Sequence, residues 1–305
     1  MLPTFLLREV TVLPNGLVLC GWRLHPASAF WDMPADLKYR RYYALYKLLT
    51  LPTYPEPIEK AIVIHHPWAN NYVHWLTECL PRLHYAQAQA PDWPVLLPKD
   101  YPPFARESLE ALGVTRIIEI ESAYKYRVHQ LLLPHMPAQS SYGAYFEVLH
   151  GLRRYFLQAF GRNATSRRLY ISRAYATRRR VRNEAEVLPL LRQYGFEVVH
   201  TEKLSLKEQV GLFSEAAVLM GLHGAGHANL LWMPEGSHII EILTAAPLRR
   251  TPPLATYANL SHLFRHRHTY FVGQTPPDHE GEIFDRADVY LPPSALEAFL
   301  SGLFT

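Results

Sequence analysis

Short apolar runs recur along this chain and alternate with segments of helical periodicity, and that alternation constrains the fold more than any other feature. Ala61–Ile64, Val95–Leu97, Ile117-Ile118, Val128–Leu133, Leu169–Ile171, Phe196–Val199, Val218–Met220 and His238–Ile242 each read as a strand buried in a sheet. Between them Asn71–Gln89, Phe104–Leu112, Tyr145–Phe160, Glu184–Tyr194, Ser205–Ser214 and Ala225–Trp232 carry helical spacing, and Ser205-Leu206-Lys207-Glu208 fits a capping box. Repeated strand–helix units imply parallel sheets covered by helices, an α/β fold. The start of the chain differs. Residues 9–20 alternate around Pro14-Asn15-Gly16, where Asn-Gly favours a turn with positive φ, and so predict a leading hairpin. Lys38–Leu49, rich in tyrosine, predicts a helix after it.

With 305 residues the chain exceeds the size at which one core stops growing, so two domains are expected. The small, polar stretch Gly161–Ser166 is the best linker. It separates residues 1–160, which carry the hairpin, from residues 161–286. Residues 287–305 add a helix that packs back near the domain interface. An apolar content of 49% with 19% charge excludes general disorder. The net charge of +4 is concentrated rather than spread, which argues against a nucleic-acid partner. Cys20 and Cys79 are too few for a disulfide framework or a thiolate zinc site, and they point to a reducing compartment. The N-terminal residues lack the pattern of a signal peptide, and no stretch is apolar enough to span a bilayer. The expected location is cytoplasmic, compatible with peripheral contact at the inner face of the membrane. Oligomeric state is not legible.

Ligands of open parallel sheets bind at the carboxyl ends of strands. Three features of the second half fall there. Ser172-Arg173 follows one strand, with Arg178 and Arg179 in the next loop, among seven arginines between Arg167 and Arg182. His223-Gly224-Ala225-Gly226, followed by Asn229, turns another strand into a helix whose N-terminus suits an anion. Glu241 lies near the end of a third strand. Guanidinium forks match phosphate oxygens, and glycines let a phosphate approach the backbone. A carboxylate such as Glu241 can accept both hydroxyls of a ribose. Together they describe a nucleoside diphosphate site. The turn is neither a dinucleotide fingerprint nor a P-loop, and Arg167, Arg168, Arg180 and Arg182 fit a solvated face equally well.

In the first half Asn71, His74 and Glu78 fall at i, i+3 and i+7, on one face of a helix that follows a strand. Glu78 can fix the tautomer of His74 and raise its basicity, as a general base requires. Glu78 acting directly is the competing base. A zinc site built from His65, His66 and His74, or from His223 and His227, has no recognised ligand spacing, and there is no Asp-x-Asp motif; no metal is expected.

These segments resemble the inverting glycosyltransferases of family 61. The resemblance rests on Asn71-Tyr72-Val73-His74-Trp75-Leu76-Thr77-Glu78 with Leu80-Pro81-Arg82, on Tyr170-Ile171-Ser172-Arg173, and on Arg178-Arg179 with Asn183-Glu184. Gln209, His223-Gly224-Ala225-Gly226 with Asn229, Pro234-Glu235-Gly236-Ser237 and Glu241 complete it. It implies a GT-B-like architecture, two Rossmann-like parallel-sheet domains facing across a cleft. It also implies inversion at the anomeric carbon, a nucleotide-sugar donor (a UDP-sugar favoured), no metal or other cofactor, and a glycan or lipid-linked glycan acceptor. The lack of an anchor fits the bacterial, capsular-polysaccharide branch. One position departs: His227 stands where the motif is usually apolar. The expected activity is transfer of a hexosyl, N-acetylhexosaminyl or pentosyl group. The alternative is a non-catalytic nucleotide- or polysaccharide-binding subunit of a glycan assembly complex, which would not need an ordered base.

Overall fold

Two sheets organise the chain in the computed structural model, which describes residues 3–29, 34–135, 145–162, 166–249, 255–279 and 287–304. The chain divides into two compact units, Met1–Leu152 and Arg153–Thr305. Part of the expected linker, residues 163–165, lies outside the described residues.

The first unit holds a seven-stranded sheet of order β3-β2-β1-β7-β4-β5-β6. Its strands are β1 (Thr4–Val12), β2 (Val18–Cys20), β3 (Arg23–Leu24), β4 (Ile58–Ile62), β5 (Val95–Pro98), β6 (Ile117–Ile120) and β7 (Tyr126–Pro134). The sheet is mixed, which corrects the expectation of two parallel sheets. β4 runs parallel to β5 and β7, and β5 to β6, but β1 is antiparallel to both β2 and β7. The cause is the hairpin. Its tight turn fixes β2 antiparallel to β1, and β1 then pairs with β7 over nearly its full length, from Thr4 opposite Pro134 to Val12 opposite Tyr126. Helix α1 (Pro34–Thr50) packs Ala44, Leu45 and Leu48 on Leu13, Leu17 and Leu19 of the hairpin. Three consecutive helical pieces, Tyr72–His74, the π-helical Trp75–Cys79 and Leu80–Gln87, form α2, and Pro103–Ala111 forms α3. Val10, Val12, Ala61, Val63, Leu96, Val128, Leu131 and Leu133 build the core on the sheet.

Helix α4 (Phe146–Phe160) spans the division between the units. The second unit carries a five-stranded sheet of order β12-β11-β10-β8-β9, parallel throughout. Its strands are β8 (Arg167–Ile171), β9 (Phe196–Val199), β10 (Ala216–Leu222), β11 (His238–Leu243) and β12 (Arg267–Val272). All six residues of β11 are buried, as expected of a central strand covered on both faces. Around the sheet lie α5 (Glu184–Gln193), α6 (Leu206–Phe213), α7 (Thr256–Leu263) and α8 (Pro293–Phe304). The expected capping box forms on α6, with Ser205 and Glu208 bonded reciprocally. Leu296 and Leu300 of α8 join Val187 and Leu191 of α5 in this unit's core.

Strand order locates the functional edges. In the first sheet the chain leaves β4 toward β5 and β6, while β7 lies on β4's other side. In the second it leaves β8 toward β9, while β10, β11 and β12 extend the opposite way. The carboxyl ends of the β4/β7 and β8/β10 pairs are therefore switch points, where a crevice opens for ligands.

Candidate active site

At the end of β4 the chain runs through Val63 and Ile64 into His65 and His66, both fully buried. The hairpin turn holds this loop. Gly16 has φ +83°, and a Cβ there would lie 2.2 Å from the His65 carbonyl oxygen, so only glycine lets the turn sit against the loop. The Nε2 of His65 lies 3.1 Å from the Pro14 carbonyl oxygen. The buried Arg82 guanidinium donates to the carbonyls of Ile64 (2.7 Å) and Pro134 (2.9 Å), tying the ends of β4 and β7 together. Burial lowers the Arg82 pKa to about 10.

Opposite this loop, Asn71 caps α2 by accepting the Val73 N–H at 3.2 Å. Its side chain is thus engaged in the cap rather than aligned with His74 and Glu78. The next turns bring three ionisable groups together. His74 places Nδ1 3.0 and 2.9 Å from the two oxygens of Glu78. His66 places Nε2 2.9 Å from Glu78 Oε2, while its Nδ1 accepts the Trp68 N–H. That last bond fixes the tautomer: the His66 proton sits on Nε2, the ring nitrogen beside Glu78. Glu78 is wholly buried within the π-helical turn, a type of helical defect often found at functional sites. Burial opposes its charge, but the two imidazole bonds outweigh that and hold its pKa near 2. Burial lowers His66 to about 4, against the pull of Glu78. The group is therefore an ionised carboxylate between two imidazoles, one buried and one, His74, partly exposed. Trp68, half-exposed, lies with its ring centroid 6.4 Å from that of His74.

Sequence reasoning paired His74 with Glu78 and grouped His66 only with His65 and His74 in a zinc site it set aside; the contact of His66 with Glu78 comes through the fold rather than through helical spacing. Among the described residues, His66, His74 and Glu78 form the one group able to offer a metal three ligands, with ligand atoms within 4.8 Å of one another. In this arrangement the same atoms hydrogen-bond to each other.

In the second unit Arg173 leaves β8 and reaches the glycine turn. The Cβ of any larger residue at 224 would lie 2.6 Å from Arg173 Nη1, so Gly224 makes room for the guanidinium against the backbone. Arg173 also donates to the carbonyls of Arg179 (2.7 Å) and Arg178 (3.1 Å), which fixes the arginine loop around it. Burial, and then Arg179, lower its pKa to about 10, so it stays a cation at neutral pH. Arg178 is exposed, while Arg179 is half-buried and lines a narrow recess with His223, Leu222, Leu243 and Thr244. Glu184 accepts from Tyr170 and Ser172, both at 2.9 Å, and so anchors the end of β8. Arg167 pairs with Glu197 and Glu215, and Arg182 with Asp278 and Asp288.

The helix after the turn, Ala225–Trp232, is 3-10 throughout rather than α-helical. Packing explains the tighter winding. At Gly226 a Cβ would meet Ile171 at 3.1 Å, and Asn229 donates to Gly226 O (3.1 Å) and to Gln209 on α6 (2.9 Å). Asn229, fully buried, therefore shapes the turn from within. Glu241 is also buried and bonds His223 Nδ1 and, at 3.0 Å, His268 Nε2 on β12. Each of its oxygens thus already holds an imidazole. Burial raises its pKa, yet the two imidazole bonds prevail and hold it near 2. His227 is 1% exposed, stacks on Tyr257 at 5.1 Å and is lowered to about 4 by burial. It packs as a neutral core side chain, which accounts for an imidazole in a usually apolar position.

Each unit thus presents a partly exposed imidazole bonded to a buried carboxylate that a second imidazole also holds, in the first unit beside the end of β4 and in the second across β10, β11 and β12. Comparison with known proteins places this arrangement. The family model Glycosyltransferase 61 matches residues 72–240, which run from α2 into β11 and include His74, Glu78, Arg173 and the glycine turn. The chain is 26% identical over 133 residues to the alpha-1,3-arabinosyltransferase XAT2 of Oryza sativa subsp. japonica. That match covers 42% of this chain and 22% of the relative, so the two share only about a fifth of the plant protein's length. The family match spans more than half of the residues, and the chain belongs to glycosyltransferase family 61.

Proposed function

We propose that this glycosyltransferase transfers a sugar, with inversion and without a metal, from a nucleoside diphosphate sugar to a hydroxyl of a glycan or lipid-linked glycan. The observation that carries the reading is the ionised, buried Glu78 hydrogen-bonded to His74 Nδ1. A carboxylate on Nδ1 leaves the imidazole's basic lone pair on Nε2 and stabilises the imidazolium that forms when it takes a proton. The acceptor O–H gives its proton to His74 Nε2 as its oxygen attacks the anomeric carbon. The bond from that carbon to the diphosphate breaks on the opposite face. Half-exposed Trp68 offers the acceptor sugar an aromatic surface beside the base.

The second unit holds the donor. Arg173, kept cationic against Gly224, and Arg178 and Arg179 in the loop it organises neutralise the diphosphate. The 225–232 helix contributes its N-terminal N–H groups at Gly224-Ala225-Gly226. His223 donates to phosphate or sugar, and Glu241 acts through it by fixing its orientation, with His268 completing the set. The donor is a UDP-sugar, and the arabinosyltransferase relative supports including pentoses among the sugars tested. A role in surface or capsular polysaccharide synthesis from the cytoplasmic side fits these substrates.

The test is release of nucleoside diphosphate from a panel of nucleotide sugars with glycan acceptors, with product anomers followed by NMR. Turnover that inverts the anomer and falls at least about a hundredfold in His74→Gln supports the scheme. Retention of configuration, or a wild-type rate in folded His74→Gln, refutes it. Tight nucleotide binding without acceptor-dependent release would leave the second unit as a binding module.

A further inference from the structure

Helix α1 carries a feature that the transferase chemistry does not use. Its inward residues Ala44 and Leu48 pack on the hairpin. On its opposite side Tyr39, Tyr42, Tyr46 and Leu49 are 70, 65, 61 and 67% exposed. Their spacing of three, four and three residues places them in one stripe about 15 Å long. A helix facing water normally carries charged residues there. Beside α1 packs β3, and the turn leading into it exposes Trp22 (67%) and Arg23.

The charge pattern identifies the occupant. From residue 37 to 55 the sequence holds Lys38, Arg40, Arg41 and Lys47 and no carboxylate. Arg41 is exposed, and Lys47 Nζ lies 5.8 Å from the centre of the Tyr46 ring at the edge of the stripe. Tyrosine and tryptophan place an apolar ring at the hydrocarbon boundary and a polar group in the headgroup layer. Cations beside them complement acidic lipid headgroups. A protein-binding patch would instead be depleted in lysine at its centre. No helix of the described residues is long and apolar enough to cross a membrane, so the contact is with the surface.

We propose that the first unit docks on an anionic lipid surface through the Tyr39–Tyr42–Tyr46–Leu49 stripe of α1, with Arg41, Lys47 and the Trp22-Arg23 turn flanking it. The same helix lends Tyr43 and Lys47 to a polar recess of about 250 Å³ shared with Asn15, Asn70, Asp100 and Tyr101. Docking therefore brings to the lipid surface a helix that also walls a cavity sized for a sugar.

The test is sedimentation of the full chain with vesicles of phosphatidylcholine alone or with about one third phosphatidylglycerol, at low and high salt. The wild type is expected to bind the anionic vesicles at least about tenfold more tightly than the neutral ones, and to lose that preference as salt rises. Tyr42→Ser/Tyr46→Ser, at solvent-exposed positions, weakens binding by at least about tenfold with an unchanged unfolding midpoint. Arg41→Gln weakens it about fivefold, the value of one cation at such a surface. Equal binding to both vesicles, no binding, or an unaffected double variant overturns the proposal. So does a wild-type dimer that the double variant converts to monomer in sedimentation velocity, because the stripe would then belong to a second copy.

Discussion

Acidification from pH 7.5 to 5 should destabilise this protein steeply, and the structure sets the size of the effect. His65, His227 and His266 are buried, and each bonds a backbone carbonyl rather than a carboxylate: Pro14, Ile240 and Leu230 respectively. Burial lowers their pKa values from 6.5 to about 3, 4 and 4. A group whose pKa is depressed on folding contributes stability above its unfolded value and loses it as the pH falls below that value. At pH 5 the unfolded chain binds a proton at each of these sites while the folded chain does not. The difference is about 2 kcal/mol per histidine and hardly depends on whether the folded value is 3 or 4. These three sites alone give a loss of about 6 kcal/mol, comparable with the whole stability of an ordinary domain, about 5–15 kcal/mol, and His66, lowered to about 4, adds to it in the same direction. Glu78 and Glu241, held near 2, stay ionised across this window; their contribution is lost only below pH 4.5.

Urea unfolding at pH 7.5, 6 and 5, followed by tryptophan fluorescence, measures the loss directly. His227 provides the control. His227→Leu keeps an apolar side chain against Tyr257 and should remove about 2 kcal/mol of the pH-dependent loss, because one buried imidazole is gone. If the units unfold in two steps, both should show the loss, through His65 and His66 in the first and His227 and His266 in the second. An unfolding free energy that stays constant to within about 1 kcal/mol from pH 7.5 to 5 would refute the assignment of these histidines as neutral core groups.

Other outcomes follow from the two clusters. Arg173→Ala should lower kcat by at least about a hundredfold, as expected for loss of a well-placed cation at developing charge, and Arg173→Lys should not restore it because a single ammonium cannot reproduce the guanidinium fork. Gly224→Ala should match Arg173→Ala in steady-state kinetics, since its Cβ would displace the guanidinium; wild-type kinetics in Gly224→Ala would show that the contact is idle. His66→Gln, whose amide can still donate to Glu78, should retain more activity than His66→Ala and shift the pH–rate profile less; equal losses would make His66 a packing residue only. Exhaustive chelation should leave the rate unchanged, and a loss restored by added zinc or manganese would instead make His66, His74 and Glu78 a metal site.

What was legible in the sequence was whatever local chemistry decides. Apolar runs fixed most strands within a residue or two, and Ser205-x-x-Glu208 named its own helix start. β12 escaped because it is a half-buried edge strand whose first half, Arg267-His268-Thr269, is polar and leaves only Tyr270-Phe271-Val272 as an apolar run. Losing β12 also hid His268, the second imidazole on Glu241. The pairing of His66 with Glu78 was invisible for a different reason. It stands eight residues before His74 and twelve before Glu78, separated from them by a loop and a helix cap, and only the docking of α2 against the end of β4 joins them. Spacing rules find partners that share an element; they miss partners that share a carboxylate across elements. The Gly16 contact with His65 is of the same kind: a hairpin signal correctly read as a turn, whose glycine is required by a loop about fifty residues away. In both units the residue nearest the chemistry was readable and the one that holds it in place was not, because orientation is set by tertiary contacts between strand ends rather than by any motif.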